Sequence, residues 1–253
     1  MTADLATRFE AARIGARLAA LTPADRVASV DEAYRVQADL IARAGNDVRG
    51  WKVTALAPAD QRKYGSSRPV AGPLLGPYVC AAPARVSLSA LVTPLLECEV
   101  AFVLGSDLPA RNAPYDRAQV EAAVAAVVPV FELADSRVEP GAPELLKLAD
   151  AMGNGLFIVG RPISDWHRLD LTNVSITLSH NREMIGQGNS ARILGDPLLA
   201  VVALANAQPL PDPGLRAGQI VTTGTCTTPV AVRLGTYAAD FGLLGTAEMT
   251  VVA

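Results

Sequence analysis

Residues Pro94 to Leu104 read Pro-Leu-Leu-Glu-Cys-Glu-Val-Ala-Phe-Val-Leu, and this stretch decides the fold. It is apolar at almost every position, and its valines and phenylalanine favour extended structure, so it predicts a core strand. Two acids, Glu97 and Glu99, interrupt the apolar run. Because residues two apart in a strand point to the same face, we expect both carboxylates on one side of a sheet.

Two carboxylates on a core strand need a partner, because an unpaired buried charge is costly. Hard divalent cations such as Mg²⁺ and Mn²⁺ prefer carboxylate oxygen. A second apolar run, Val127 to Leu133, carries one acid, Glu132, near its end. Three carboxylates on two strands would make an open site suited to Lewis-acid catalysis. The alternative is that Glu97 and Glu99 line the solvent face of an edge strand, while Glu132 merely ends its strand.

Composition excludes several classes of protein. The chain has 253 residues, of which 50% are hydrophobic, which fits one large domain or one domain with a small helical extension. A net charge of −3 implies no basic face, so we expect no nucleic-acid partner. Three widely spaced cysteines argue against a disulfide framework or a thiolate zinc site. The sequence has no apolar signal core and no run of membrane length, so we expect a cytoplasmic protein without a membrane partner.

The periodicity changes along the chain. Residues 4–20 and a segment that begins near Ser29 and stops at Gly45 have helical spacing, and they predict an N-terminal helical cap over residues 1–49. Short strands dominate afterwards and predict a β-rich core over residues 50–253, a β-roll or distorted barrel. The fold class is therefore α+β. Residues 58–78 are rich in proline and glycine and predict a long loop, such as a lid.

Three further residues are candidates for the site. Lys52, between Trp51 and Val53, is either a lysine that extends to the surface or a desolvated amine able to move protons. Asn154 lies between two glycines, where a ligand could approach, although a simple turn fits equally well. Thr225 lies in a hydroxyl-rich turn that could bind a carboxylate or be an ordinary β-turn.

Several short motifs in this order resemble the 2-keto-4-pentenoate hydratase family, within the fumarylacetoacetate hydrolase superfamily. The resemblance covers nearly the whole chain. The motifs are Asp31-Glu-Ala-Tyr-Arg-Val-Gln37, Gly50-Trp-Lys-Val53, Pro94 to Leu104, Phe131-Glu-Leu-Ala-Asp-Ser-Arg137, Gly195-Asp-Pro197, Leu204-Ala-Asn206, Ala217-Gly-Gln-Ile-Val221 and Gly224-Thr225.

The resemblance implies a β-roll with a bound Mg²⁺ or Mn²⁺ ion and a small 2-oxo acid as substrate. Glu97, Glu99 and Glu132 match the family's metal ligands, and Lys52 matches its active-site lysine. Thr225 falls where relatives place a small hydroxyl residue near the substrate. The implied reaction is hydration of a 2-hydroxy-2,4-dienoate to a 4-hydroxy-2-oxo acid. The resemblance also implies a homo-oligomer, a dimer or a larger assembly.

The sequence departs from the family near the implied substrate. Val53-Thr-Ala-Leu56 replaces the usual Ile-Gly-Leu-Thr, Val70 stands where relatives often carry an acid, and Ala151 replaces an asparagine. Three alternatives therefore stay open. They are a decarboxylase of 2-oxo-enedioates such as 4-oxalocrotonate, an acylpyruvate C–C hydrolase, and a relative that binds metal and 2-oxo acids without turnover. The hydrolases use a Glu–His pair in some members, and neither His167 nor His180 has a context that suggests this role.

Overall fold

The computed structural model describes residues 2–22, 24–210 and 214–253. Helices are few and short in these ranges, and strands dominate after residue 47. The α-helices are α1 Thr2–Ile14, α2 Val30–Arg43, α3 Pro58–Lys63, α4 Arg117–Ala123, α5 Glu144–Ala149 and α6 Leu198–Ala205. The strands are β1 Val48–Thr54, β2 Val70–Leu75, β3 Val79–Ala81, β4 Ala84–Ser87, β5 Leu95–Leu104, β6 Val124–Ala134, β7 Asn154–Val159, β8 Ser175–His180, β9 Glu183–Asn189, β10 Ile220–Thr225, β11 Val230–Ala231, β12 Gly235–Asp240 and β13 Thr246–Val252.

The strands form two sheets of mixed direction. The larger sheet has the order β2-β1-β10-β5-β6-β7-β3, and the short β11 pairs with the start of β5. The smaller sheet has the order β4-β13-β12-β8-β9. The predicted α+β class with a β-roll core is therefore confirmed. The two long apolar runs of the sequence become β5 and β6, which pair antiparallel at the centre of the larger sheet.

The two faces of the larger sheet have different roles. Its outer face, with Phe102 and Phe131, packs against Tyr237 and Met249 of the smaller sheet in the main hydrophobic core. We call the opposite face, which carries Lys52, the inner face. Its apolar part is a separate buried cluster formed by Leu74, Ala101, Val128, Val130 and Phe157. Apolar side chains therefore fill one part of the inner face, which we call the apolar floor. The polar residues of the inner face lie beside it.

Both predicted N-terminal helices form, but α1 ends at Ile14 and residues 15–20 are not helical. The hydroxyl of Ser29 caps α2 by accepting a hydrogen bond from the backbone N–H of Glu32. Residues of α1 and α2, such as Phe9 and Val36, join α5 and Val70 of β2 in a third hydrophobic cluster. The division into a cap over residues 1–49 and a core over residues 50–253 stays a prediction.

The prediction of a long loop over residues 58–78 is wrong. The segment contains α3 and the fully buried strand β2. Pro58 occupies the first turn of α3, where a missing N–H costs nothing. Pro73 lies in β2, which is an edge strand of the larger sheet and tolerates a residue without a donor. The prolines therefore occupy the few places where helices and strands accept them.

None of the helices in the described ranges is long and apolar enough to cross a membrane.

Candidate metal centre and active site

Three glutamates meet on the inner face. Glu97 and Glu99 share this face of β5, and Glu132 lies directly opposite Glu97 on β6. One carboxylate oxygen from each lies within 4.8 Å of the others. We call these three side chains the carboxylate cluster. Because Glu99 and Glu132 are buried and Glu97 is half-buried, the edge-strand alternative does not describe their surroundings.

Glu99 is held firmly by its neighbours. The hydroxyl of Thr222 and the backbone N–H of Gly224 donate to its Oε2, the latter at 3.0 Å. Burial raises the pKa of Glu99 well above its usual value, and the negative charges of Glu132 and Glu97 raise it further. Burial followed by the charge of Glu132 likewise raises the pKa of Glu97. A positive charge nearby would therefore strongly stabilise the ionised form of the carboxylate cluster.

Lys52 supplies part of that charge. It reaches the cluster from β1, is buried, and forms an ion pair with Oε1 of Glu132. Its Nζ also donates to the backbone carbonyl of Met152 at 3.3 Å. Burial alone would lower the pKa of Lys52, but the charges of Glu132, Glu97 and Glu99 outweigh it and raise the pKa. Lys52 therefore does not extend to the surface, and the surrounding carboxylates favour its ammonium form.

A divalent cation would balance the negative charge of the carboxylate cluster that Lys52 leaves uncompensated. With all four groups ionised, three carboxylates and one ammonium leave two negative charges. The second oxygen of Glu132, Oε2, is buried and has no hydrogen-bond partner within the described part of the chain. A buried carboxylate oxygen without a partner is costly, and a bound cation would satisfy it. An all-oxygen donor set suits a hard ion such as Mg²⁺ or Mn²⁺.

The two predicted substrate-binding residues have different positions. Asn154, at the start of β7, places its Nδ2 3.5 Å from Oε1 of Glu132. Its Oδ1 is buried and unpaired among the residues that the structure describes. Thr225 lies opposite Glu99 in the register of β10 and β5, but its hydroxyl donates to the carbonyl of Thr227 at 3.0 Å. Asn154 therefore has an oxygen free for a ligand, whereas the hydroxyl proton of Thr225 is used within its own turn.

A strained turn borders the site. Ala151, Met152 and Gly153 have φ angles of 50°, 55° and 64°, so three successive residues are left-handed. This conformation is unfavourable for alanine and methionine, and it persists only where surrounding contacts impose it. The turn directs the carbonyl of Met152 at Lys52, a contact that the sequence did not suggest. Sequence reasoning also missed Thr222, because its role depends on the register between β10 and β5.

Gly72 allows this turn to approach the sheet. A Cβ atom on Gly72 would lie 2.6 Å from the carbonyl oxygen of Ala151 and 2.9 Å from Cβ of Met152. We expect Gly72→Ala to lower the free energy of unfolding by about 1–3 kcal/mol, because backbone atoms must move to accept the methyl group. Urea denaturation measures the change. The matched control is Gly186→Ala, since a Cβ there would only touch Leu178 at 3.8 Å. Equal stability of both variants would contradict the close approach.

Two other features of chemical interest lie away from the carboxylate cluster. His180 bonds to the carbonyl of Leu234 at 3.0 Å and packs on Tyr237, while His167 stacks on Trp166. A cavity of about 780 Å³ is lined by Trp51, which points to the opposite side of β1 from Lys52. Neither feature contributes to the arrangement on the inner face.

Comparison with known proteins identifies the family of this chain. The family model described as fumarylacetoacetate (FAA) hydrolase C-terminal matches residues 79–252. The chain is 34% identical to a 2-keto-4-pentenoate hydratase of Burkholderia vietnamiensis over 224 residues, 86% of this chain and 84% of the relative. It is 29% identical to a 4-oxalocrotonate decarboxylase of a Pseudomonas species, with 91% of this chain and 90% of the relative covered.

A solved structure is similar over almost the whole chain. The 4-oxalocrotonate decarboxylase from Pseudomonas putida G7, complexed with magnesium and adipate, superimposes with a TM-score of 0.88 at 26% identity. The match covers 99% of this chain and 97% of that one. The chain belongs to the fumarylacetoacetate hydrolase family. Within it, the relatives named 2-keto-4-pentenoate hydratase confirm the resemblance noted in the sequence.

Proposed function

We propose that the protein is a divalent-metal-dependent hydratase, which adds water to a 2-hydroxy-2,4-dienoate to give a 4-hydroxy-2-oxo acid. The observation that carries the proposal is the buried carboxylate cluster paired with Lys52. Relatives named 2-keto-4-pentenoate hydratase, one of them 34% identical, support the substrate class. The predicted homo-oligomer is a separate prediction on which this proposal does not depend.

Glu97, Glu99 and Glu132 would hold Mg²⁺ or Mn²⁺ through their carboxylate oxygens. Such an ion supplies Lewis-acid polarisation of a 2-oxo group when it is bound. The unpaired Oε2 of Glu132 is available for that role. The magnesium complex of the decarboxylase of Pseudomonas putida G7 supports the choice of a hard cation.

Lys52 would move the protons. As an ammonium group, its Nζ can donate a proton to the far carbon of the diene, while the 2-hydroxyl group loses its proton to give the 2-oxo form. Water then adds to the conjugated double bond, with its oxygen at carbon 4 and a proton at carbon 3. The amine left by the first step accepts one proton of that water, and carbon 3 receives the proton that the 2-hydroxyl group released to a neighbouring water molecule in the first step. The net change is addition of one water molecule, and Lys52 ends as it began.

Asn154 would orient the substrate. Its free Oδ1 can accept a hydrogen bond from a hydroxyl group or a water molecule beside Glu132. The apolar floor of the inner face, which includes Phe157, would exclude bulk water from the diene. The hydroxyl of Thr225 donates within its turn, so its contribution would be to accept a hydrogen bond from the substrate.

A 2-oxo-enedioate decarboxylase is the second candidate. The similarity to the 4-oxalocrotonate decarboxylase from Pseudomonas putida G7 over 99% of this chain favours it. Glu97, Glu99 and Glu132 would hold the same cation for this reaction, and it would supply Lewis-acid stabilisation of the negative charge left on the 2-oxo acid. An acylpyruvate hydrolase has less support, because the described histidines are bonded or stacked elsewhere and no Glu–His pair is formed.

The test is turnover as a function of metal. Metal-stripped protein should leave 2-hydroxypenta-2,4-dienoate unchanged, and addition of Mg²⁺ or Mn²⁺ should cause loss of the ultraviolet absorbance of the diene. Mass spectrometry of the product should show the gain of one water molecule. A parallel cuvette with 2-oxo-hex-3-enedioate follows loss of carbon dioxide. Decarboxylation without hydration would transfer the assignment to the second candidate. Tight metal binding without any turnover would reject both and direct the search to acylpyruvates.

A further inference from the structure

A buried ion pair lies behind the carboxylate cluster. Arg137 and Asp150 are both almost completely excluded from water, with side chains 2% and 1% exposed. Two guanidinium nitrogens, Nε and Nη2, donate to Oδ1 of Asp150 at 3.1 and 2.9 Å. The backbone N–H of Arg137 donates to the other carboxylate oxygen at 3.0 Å. The convergence of two guanidinium nitrogens on one carboxylate oxygen requires the rigid planar group of arginine, which lysine cannot reproduce.

The same guanidinium group holds the backbone at three further points. Its Nη2 donates to the carbonyl of Asp150 at 3.2 Å, and its Nη1 donates to the carbonyl of Asn154 at 2.9 Å. Nη1 also bonds to the carbonyl of Asp135 at the end of β6. Arg137 therefore fixes both ends of residues 150–154, which we call the 150–154 segment, and ties them to the strand that carries Glu132.

The middle of the 150–154 segment contacts the reacting groups. Its three left-handed residues direct the carbonyl of Met152 at Nζ of Lys52, at 3.3 Å. Its last residue, Asn154, places its amide beside Glu132. The left-handed turn is unfavourable by itself, so it depends on the contacts at its ends. Loss of those contacts would release the carbonyl of Met152 and leave the ammonium of Lys52 with fewer constraints on its position.

We propose that Arg137, through Asp150 and the backbone carbonyls, is a positioning residue that aims Lys52 and Asn154 at the substrate. This inference rests on the proposed function, because it assigns Lys52 the proton transfer. A buried ion pair is weak evidence of a stabilising role, since well-packed apolar residues often give equal or greater stability. The guanidinium group of Arg137 makes directional hydrogen bonds to four oxygen-bearing groups around one strained turn. These bonds indicate that Arg137 fixes the position of the turn.

The test is Arg137→Lys, which keeps the charge and loses the fork. Misplacement of a reacting group by about 1 Å lowers rates about 100-fold, so we expect kcat to fall by at least about tenfold. We expect the Kd for Mn²⁺ to stay within about threefold, because Glu97, Glu99 and Glu132 are unchanged. A purely structural role would lower the melting temperature and leave kcat per metal-loaded molecule unchanged, which would overturn the proposal.

Hydrogen exchange gives a second readout that needs no activity. In the native protein, Gly153 donates to Asp150 at 2.9 Å, and Asp135 donates to the carbonyl of Gly153 at 2.7 Å. Both amides should exchange at least about tenfold faster in Arg137→Lys, because the segment opens locally. Unchanged exchange would overturn the proposal. If the wild-type protein turned over no dienoate, the proposed function would fail, and exchange alone would still decide whether Arg137 holds the segment.

Two further variants serve as a control and as a substitute for Arg137→Lys. Arg117→Lys is the matched control, because the half-exposed Arg117 pairs with Asp196, outside the 150–154 segment. It should change neither kcat nor exchange at Gly153. If Arg137→Lys does not fold, Asp150→Asn keeps the shape of the partner side chain and removes the charge that holds the guanidinium group. It should lower kcat while the Kd for Mn²⁺ stays within about threefold; full activity together with unchanged exchange at Gly153 would overturn the proposal.

Discussion

Glu97→Gln is expected to lower the affinity for Mn²⁺ by at least about 100-fold and to abolish metal-dependent turnover. Replacing a residue that only hydrogen-bonds to a metal ligand already lowers metal affinity about 10- to 100-fold, and the loss of a ligand should cost at least as much. The same change should raise the free energy of unfolding of the metal-free protein by about 1 kcal/mol, since it removes one of three like charges at close range. Glu97 is the half-buried member of the carboxylate cluster, and burial followed by the negative charge of Glu132 raises its pKa. The two effects have opposite signs, which separates a metal ligand from a residue that only supports the fold.

Isothermal titration with Mn²⁺ and urea denaturation with and without the metal measure the two effects. Glu183→Gln is the matched control, because Glu183 is an exposed glutamate at the start of β9. It should bind Mn²⁺ as the wild-type protein does. Retention of wild-type Mn²⁺ affinity in Glu97→Gln, or a clear loss of stability without metal, would contradict the assignment of Glu97 as a ligand.

The sequence predicted the parts of this site that depend on local pattern. The alternation of β5 placed Glu97 and Glu99 on one face, and two apolar runs predicted the central strands β5 and β6. Sequence alone did not predict that Glu132 lies directly opposite Glu97. That pairing is a matter of register, and a shift of one residue would have turned Glu132 to the outer face.

Other parts could not be predicted because they depend on backbone atoms or on distant contacts. The carbonyl of Met152 has no sequence signature, and its left-handed conformation contradicts the usual preference of methionine. Arg137 belonged to a motif typical of the hydratase family, but its four contacts come from residues 135–154 only after folding. The strand β2 was missed because Pro73 signals a break unless the strand is known to lie at an edge.

Lys52→Met is expected to lower kcat by about 10² to 10⁴, the range typical of removing a general acid or base. Methionine keeps much of the length of the side chain and removes the ammonium group. Loss of the partner of a buried carboxylate should destabilise the metal-free protein by about 3 kcal/mol, because Glu132 is left without its counter-ion. Affinity for Mn²⁺ should not fall, since the variant removes a positive charge beside the cation site.

The three effects are measured by steady-state kinetics at saturating Mn²⁺, by thermal unfolding without metal, and by metal titration. Lys63→Met is the control, because Lys63 pairs with Asp60 at the surface and should change none of them. A substantial kcat in Lys52→Met, within about threefold of wild type, would rule out proton transfer by this residue. A weaker Mn²⁺ affinity would instead show that Lys52 holds Glu132 in place for the metal. Low kcat with undiminished metal affinity would separate the role of Lys52 in the reaction, as proton donor or as the group that orients the water, from the assembly of the carboxylate cluster.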